Sequence, residues 1–172
     1  MMEIMEMIFS GFQMSHIIVV SLTYLYIAYM DYRTCYIWDL PIIISFLVNI
    51  LYAFYNYRLL DCLLGGVIAG LIHGIIFLVT MYIYNEEKYG LGDVLLMSSI
   101  GTMLGVRNFL EYQFLEFIAT GLLALILLLY KRENISIPLA PVYVFWLFVY
   151  IGLDKPEFFN WYCSLVTKLF NV

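Results

Sequence analysis

Long apolar stretches, separated by short polar breaks, constrain the fold of this chain more than any other feature of its sequence. A helix needs about 20 mostly apolar residues to cross the hydrocarbon core of a bilayer, and the chain offers about six such stretches. They cover residues 5 or 15 to 30, 41–57, 62–84, 90–106, 109–130 and 138–153. This pattern predicts an all-α, polytopic membrane protein with about six transmembrane helices.

Composition excludes a soluble globular domain. Of the 172 residues, 65% are hydrophobic and 12% are charged, whereas soluble domains average about 45–50% and 25%. The basic residues are scattered singly apart from Lys131-Arg132, so the chain has no basic patch for nucleic acid. Its three cysteines form no Cys-x-x-Cys pair, and we expect no structural metal, no cofactor and no disulfide framework.

Charge also suggests an organisation and an orientation. Residues 1–153 are predicted to form the transmembrane domain, and residues 154–172 mix aromatic and charged residues in the manner of an interfacial amphipathic helix. Residues 1–14 contain no Lys or Arg, so we expect the first stretch to be retained rather than cleaved. With the N-terminus outside, the cytoplasmic loops carry four basic residues and the outer loops carry two, which favours this orientation. The four are Arg33, Lys88, Lys131 and Arg132.

Glycines follow one face of the third stretch at close to four-residue spacing. They are Gly65, Gly66, Gly70 and Gly74. Small residues at this spacing allow the backbones of neighbouring helices to approach closely. We therefore expect this helix to pack tightly against a neighbour.

Two aspartates at the ends of predicted spans form a candidate catalytic pair. Asp31 ends the first span and Asp93 begins the fourth. Because two spans lie between them, both lie on one side of the membrane in either orientation, and residues 138–141 lie on that side too. Two carboxyl groups close together at a low-dielectric boundary share a proton and supply a general acid and a general base. Such a pair can activate water against an amide without a metal.

Glycine and proline residues accompany this pair. Gly90 and Gly92 leave out side chains where an extended substrate backbone would approach. Pro138 and Pro141 interrupt helical backbone at a depth where that is tolerated only around an enclosed or wet cavity, so we expect them to shape a cleft. These four residues are the candidate substrate-binding positions.

Several of these residues also have a purely structural interpretation. Asp93 could cap the helix that follows it, and Asp31 could be an interfacial charge paired with Arg33. Asp39 is interpreted as a helix N-cap or a loop-ordering residue, not as a catalytic acid, and His16 as an interfacial residue. His73 is interpreted as a hydrogen-bonding residue between packed helices rather than as a proton relay.

A different function class is open at this point. Two intramembrane aspartates could also form the relay of a small cation- or proton-coupled transporter. Transporters of that kind usually carry an internal repeat. The surroundings of Asp31 and Asp93 share no pattern beyond the acid itself, which favours a peptidase.

Three segments resemble the type IV prepilin peptidase family. Residues 31–41, Asp-Tyr-Arg-Thr-Cys-Tyr-Ile-Trp-Asp-Leu-Pro, resemble its first aspartate motif. Residues 90–105 begin Gly-Leu-Gly-Asp and resemble its Gly-x-Gly-Asp motif with the small-residue helix behind it. Residues 137–141, Ile-Pro-Leu-Ala-Pro, are similar to the Ile-Pro-Phe-x-Pro opening of its last helix. The resemblance covers roughly residues 15–153, in the family's order, and matches its short form without a Cys-x-x-Cys segment.

The resemblance implies a membrane aspartyl endopeptidase that removes the basic leader of a prepilin or pseudopilin after a glycine. The site would face the cytoplasm at the cell membrane, with Asp31 and Asp93 as the catalytic pair. The implied partners are the bilayer and the substrate's leader and apolar helix. Two positions depart from the pattern: Leu95 replaces the family's lysine, and Asp39-Leu40 replaces Pro-Asn. A catalytically inactive pilus-assembly relative is therefore the other alternative, although neither aspartate is lost.

Overall fold

The described part of the protein is helical throughout. The structure is a computed structural model that describes the backbone of residues 2–84, 89–129 and 138–154 and the side chains of residues 15–83, 89–123, 126 and 138–152. Its helices are α1 (Met2–Thr34), α2 (Asp39–Tyr55), α3 (Leu59–Tyr84), α4 (Leu91–Leu104), α5 (Val106–Leu129) and α6 (Ala140–Asp154). The all-α prediction is confirmed for these residues.

The helices correspond to the six predicted apolar stretches, with differences at their ends. α1 begins at Met2, ahead of the predicted start, and α5 begins at Val106 rather than at Phe109. Residues 155–172, which include nearly all of the predicted interfacial helix, lie outside the described residues. So do Lys88, Lys131 and Arg132, on which the orientation mainly depends.

Proline and aspartate mark the start of α2. Pro41 lies in its first turn, as predicted, where a missing backbone N–H costs nothing. The N-cap is Trp38, which makes no side-chain capping bond, so the interpretation of Asp39 as the N-cap is wrong by one residue. Asp39 instead lies in the first turn, where its negative charge interacts favourably with the positive end of the helix dipole.

The closest helix contact joins α3 to α4, as the glycine pattern predicted. A Cβ on Gly65 would collide with the carbonyl oxygen of Gly101, and one on Gly70 would lie 2.7 Å from the Ser98 hydroxyl. Only glycine allows these backbones to approach so closely. Gly74 is an exception to the prediction, because nothing lies within 4 Å of the position of its Cβ.

The turn between α4 and α5 is held by residues from the start of α3. Gly105 ends α4 with a φ of 80°, a conformation that favours glycine. Asp61 accepts a hydrogen bond from the backbone N–H of Val106 at 3.1 Å, which satisfies one of the free donors at the start of α5. Arg58 lies 2.8 Å from the same carboxylate and so fixes its position.

α4 lies at the centre of the packed helices. It contacts α2, α3 and α5, and Leu96, Met97 and Ile100 on it are fully buried. With 14 residues, α4 is about 21 Å long at the usual rise of 1.5 Å per residue. Burial along most of its length and this short length make α4 the helix around which α2, α3 and α5 pack.

A second buried cluster is polar and joins α1, α2 and α4. Asn49 donates hydrogen bonds to the Tyr24 hydroxyl at 3.2 Å and to the Ser99 carbonyl at 3.1 Å. His16 lies 3.0 Å from the Asn49 amide oxygen, stacks on Tyr52 and is 6% exposed. His16 is therefore buried, with its hydrogen-bond partner inside the helix bundle, and its location at the membrane interface stays a prediction.

One described helix is long and apolar enough to cross a membrane on its own. It is α3, over Leu59–Ile83, and only 28% of its most apolar 18-residue window is buried within the protein. Three further apolar helices are shorter: Asp39–Tyr55, Leu91–Leu104 and Ala140–Gly152.

Candidate active site

Asp31 lies in the last turn of α1 and is held by the start of α6. Its side chain is 5% exposed. Its Oδ2 accepts a hydrogen bond from the backbone N–H of Ala140 at 2.9 Å. The alternative in which Asp31 pairs with Arg33 at a surface is wrong, because Arg33 is exposed and forms no ion pair with it among the described residues.

Asp93 lies in the first turn of α4, and only one of its carboxylate oxygens has a structural role. Oδ2 accepts a hydrogen bond from the N–H of Gly90, the N-cap, at 3.3 Å. Oδ1 is buried and is the one such side-chain atom in the described part of the chain without a hydrogen-bond partner. Since buried polar atoms are nearly always paired, an unpaired carboxylate oxygen here requires an explanation that helix capping does not supply.

The two carboxyl groups come together, as the topology predicted. Asp31 and Asp93 are close enough for their charges to interact. The start of α6 joins them through Ala140, so the three polar or helix-breaking segments meet at one end of the bundle. Two such carboxyl groups, one of which has an oxygen without a hydrogen-bond partner, can share one proton and polarise a water molecule.

The loop after Asp31 packs on the turn that carries Asp93. Cys35 adopts a φ of 51° at the end of α1, and its N–H bonds to the Asp31 carbonyl oxygen at 2.7 Å. The chain then reverses and places Ile37 against Gly92, where a Cβ would lie 2.8 Å from the Cβ of Ile37. Gly92 thus has a packing role, and its role toward a substrate stays a prediction.

The other candidate substrate-binding residues lie around the same end of the bundle. A Cβ on Gly90 would lie 3.1 Å from Oδ2 of Asp93, so a larger residue would crowd this carboxylate. Pro138 lies two residues before the start of α6, and Pro141 is the second residue of that helix. Pro141 also lines a shallow apolar groove of about 440 Å³ between α5 and α6, next to Ala119 and Trp146.

The family of this protein is identified by a match that covers most of the helices. Residues 18–129 match the type IV leader peptidase family, a range that includes both aspartates and most of the described helices. The chain belongs to the type IV leader peptidase family. The resemblance inferred from the motifs is thereby confirmed. No curated protein and no solved structure matches the chain.

Membership of this peptidase family supports a protease and opposes the transporter alternative. The matched range ends before Pro138 and Pro141. The assignment of these two prolines to the site therefore depends only on their position next to Ala140, which bonds to Asp31. Leu95, which stands where the family carries a lysine, is 40% exposed. Among the described residues, no group of three or more His, Cys, Asp and Glu could hold a metal ion.

The interpretation of His73 as a hydrogen-bonding residue in the helix packing is confirmed. Its Nδ1 lies 2.5 Å from the Tyr89 hydroxyl, and its Nε2 lies 2.8 Å from the amide oxygen of Gln113. Burial raises the pKa of the Tyr89 hydroxyl above its usual range, so that this group stays protonated. Gln113 also donates a hydrogen bond to Glu116 at 2.6 Å. An acid within an apolar helix is the signal in the sequence that could have pointed to these connected residues.

Proposed function

We propose that this member of the type IV leader peptidase family is a membrane aspartic endopeptidase in which Asp31 and Asp93 activate water. The observation that carries the proposal is that Asp93 lies within range of the charge of Asp31 and has a buried oxygen, Oδ1, with no hydrogen-bond partner among the described residues. Asp31 is held by the N-terminus of α6 and Asp93 by the N-cap of α4. Each acid is thus positioned from a different helix.

The reaction follows from one proton shared by the pair. The ionised carboxylate removes a proton from water as its oxygen attacks the carbonyl carbon of the scissile amide, while the protonated carboxyl group donates its proton to the carbonyl oxygen. The resulting tetrahedral diol then collapses. The carboxyl group that took the proton from water donates it to the amide nitrogen as the C–N bond breaks, and the other carboxylate takes a proton from a diol hydroxyl. The amine and the new carboxylic acid leave, and the pair again shares one proton, with no covalent intermediate. Gly90, Gly92, Pro138 and Pro141 would border the cleft that admits the substrate backbone.

A bilayer location accounts for the surface of the helices. Large apolar side chains of α3 point outward: Leu60 is 73% exposed, Leu71 61% and Leu78 63%. Apolar surface of this extent is covered by a membrane or a partner in stable proteins. We propose that all six helices lie in the cell membrane with the N-terminus outside, which puts Asp31 and Asp93 at the cytoplasmic side.

The proposed substrate is a prepilin or pseudopilin. Its basic leader would lie in the cytoplasm, its apolar helix would lie in the bilayer, and cleavage would follow the glycine between them. A site at the end of a helix bundle, at the level where membrane gives way to water, is suited to such a junction. The family resemblance of residues 90–105 supports the same substrate class.

Leader cleavage in detergent micelles tests this function. The probe is a prepilin with a basic leader, a glycine junction and an apolar helix, and mass spectrometry reads the new N-terminus. We expect Asp31→Asn and Asp93→Asn each to lower the cleavage rate by about 10²–10⁴-fold, the usual contribution of general acid–base catalysis. Asp39→Asn is the matched control, because Asp39 is an exposed aspartate in the same region, and it should cleave like the wild type.

Each other outcome has a distinct meaning. Cleavage that survives Asp31→Asn would keep the peptidase and move the first acid, with Asp39 the next candidate. A folded wild-type protein that cleaves no prepilin would contradict the proposed function and favour an inactive relative that acts in pilus assembly.

A further inference from the structure

Glu116 on α5 is a buried acid that the proposed chemistry does not use. Its side chain is 1% exposed. Its carboxylate accepts hydrogen bonds from the amide of Gln113, at 2.6 Å, and from the hydroxyl of Thr120. None of the arginine side chains that the structure describes pairs with it. An acid buried in an apolar helix without a cation is costly, and such residues usually serve function.

The hydrogen bonds that link Glu116 to Tyr89 through Gln113 and His73 have a defined donor and acceptor at each step. An ionised carboxylate only accepts, so the amide nitrogen of Gln113 faces it and the amide oxygen faces His73. Because an amide oxygen also only accepts, Nε2 of His73 must carry the hydrogen. In the neutral ring Nδ1 is then bare, and it accepts the hydrogen bond of the Tyr89 hydroxyl.

The far end of this chain reaches the candidate active site. Tyr89 directly precedes Gly90, the N-cap of α4, and stands four residues before Asp93. Its hydroxyl oxygen also accepts a hydrogen bond from Tyr143 of α6 at 3.2 Å. Both tyrosine hydroxyls are close enough to Asp93 to interact with its charge. Whatever orders Tyr89 therefore orders the turn that presents Asp93.

We propose that Glu116 is a positioning residue for the peptidase site. Acting through Gln113, it holds His73 in the tautomer with hydrogen on Nε2, and His73 in turn holds Tyr89 and the Gly90–Asp93 turn. The assignment of the tautomer stands on the hydrogen bonds and on an ionised Glu116, whereas the role of Glu116 in peptide cleavage rests on the proposed function.

Nuclear magnetic resonance of ¹⁵N-histidine-labelled protein in micelles reads the tautomer directly. The chain has two histidines, so a His73→Gln sample assigns the signals. In the wild type we expect His73 to carry its hydrogen on Nε2 with a bare Nδ1. In Glu116→Gln the neutral amide can donate or accept, so Gln113 is free to turn over and the single tautomer should be lost.

Kinetics on the same prepilin probe measures the consequence. We expect Glu116→Gln to lower kcat on the order of 10- to 100-fold, the usual effect of a small misplacement of reacting groups, with little change in KM. Glu116→Asp keeps the carboxylate and should restore part of both kcat and the tautomer. Glu111→Gln is the matched control, because Glu111 lies on the same helix, is exposed, and contacts Arg107 and the Tyr150 hydroxyl instead of Gln113. It should change neither readout.

The outcomes separate this inference from the proposed function. A wild-type His73 with its hydrogen on Nδ1 overturns the inference, even if Glu116→Gln does not fold. An unchanged kcat in a folded Glu116→Gln protein overturns the positioning role while cleavage by Asp31 and Asp93 stands. If the wild type cleaves no prepilin, the proposed function fails and the peptidase role of Glu116 fails with it, whereas an Nε2–H tautomer that depends on Glu116 still upholds the ordered chain.

Discussion

The packing of α3 on α4 can be tested by one substitution made at two positions of the same helix. Gly65 faces the backbone of α4, and Gly74 faces open space. Gly65→Ala and Gly74→Ala add the same methyl group to α3, but we expect opposite effects on the free energy of unfolding. The contact matters because α4 carries Asp93.

Distances in the structure set the size of the effect. A Cβ on Gly65 would lie 2.8 Å from the carbonyl carbon and 2.9 Å from the Cα of Gly105, and closer still to the oxygen of Gly101. Ordinary contacts between such atoms are about 3.5–4.0 Å, so the helices must separate by roughly 0.5–1 Å, since backbone atoms cannot rotate away. A gap of that size forfeits about a quarter to a half of the attraction across the contact.

Overpacking of this kind costs about 1–3 kcal/mol. At Gly74 no atom lies within 4 Å of the added methyl group, and alanine is a better helix former than glycine by up to about 1 kcal/mol. We therefore expect Gly65→Ala to destabilise the protein and Gly74→Ala to be neutral or mildly stabilising.

Reversible unfolding in mixed detergent and SDS micelles, followed by tryptophan fluorescence, measures both variants against the wild type. Gly65→Ala should unfold at a lower SDS fraction than Gly74→Ala. Equal midpoints, or a Gly65→Ala protein more stable than the wild type, would show that α3 and α4 do not pack with their backbones this close.

Two further substitutions test polar contacts between helices in the same unfolding assay. Asp61→Ala removes the acceptor for the N–H of Val106 and should destabilise by about 0.5–2 kcal/mol. Arg107→Ala removes an exposed ion pair with Glu111 and should cost less than about 1 kcal/mol; similar losses in the two would contradict the capping role of Asp61. Ser99→Ala removes a hydroxyl that lies 2.7 Å from the Ser45 hydroxyl and 3.1 Å from the Tyr24 hydroxyl inside the buried polar cluster. Ser45 still donates to the Ile42 carbonyl, but the Tyr24 hydroxyl loses its acceptor, which should cost about 1–3 kcal/mol. No loss of stability on Ser99→Ala would contradict the role of Ser99 as the acceptor for Tyr24.

Helix existence and the location of the candidate acids could be predicted without coordinates. Apolar runs long enough to be helices, with polar breaks between them, locate the six helices to within a few residues. Counting the spans between Asp31 and Asp93 placed both acids at one end of the bundle. These inferences depend only on the length and order of segments, which are local properties of the chain.

Hydrogen-bond partners could not be predicted in the same way. The bond from Ala140 to Asp31 and the chain from Glu116 to Tyr89 each join helices that are distant in sequence. The hydrogen bond of His16 could not be predicted for the same reason, because its partner Asn49 lies on another helix.

The sequence by itself therefore determined a helical chain of the peptidase family with its two aspartates at one level. Only the tertiary structure decided which oxygen of Asp93 is left unpaired and that Glu116 connects to the turn carrying it. The physical reason is that the sequence of a single helix in an apolar bundle does not determine the rotation of that helix about its own axis. That rotation selects the partners of every buried polar side chain, and it is set by packing against the other helices rather than by the residues of any single one.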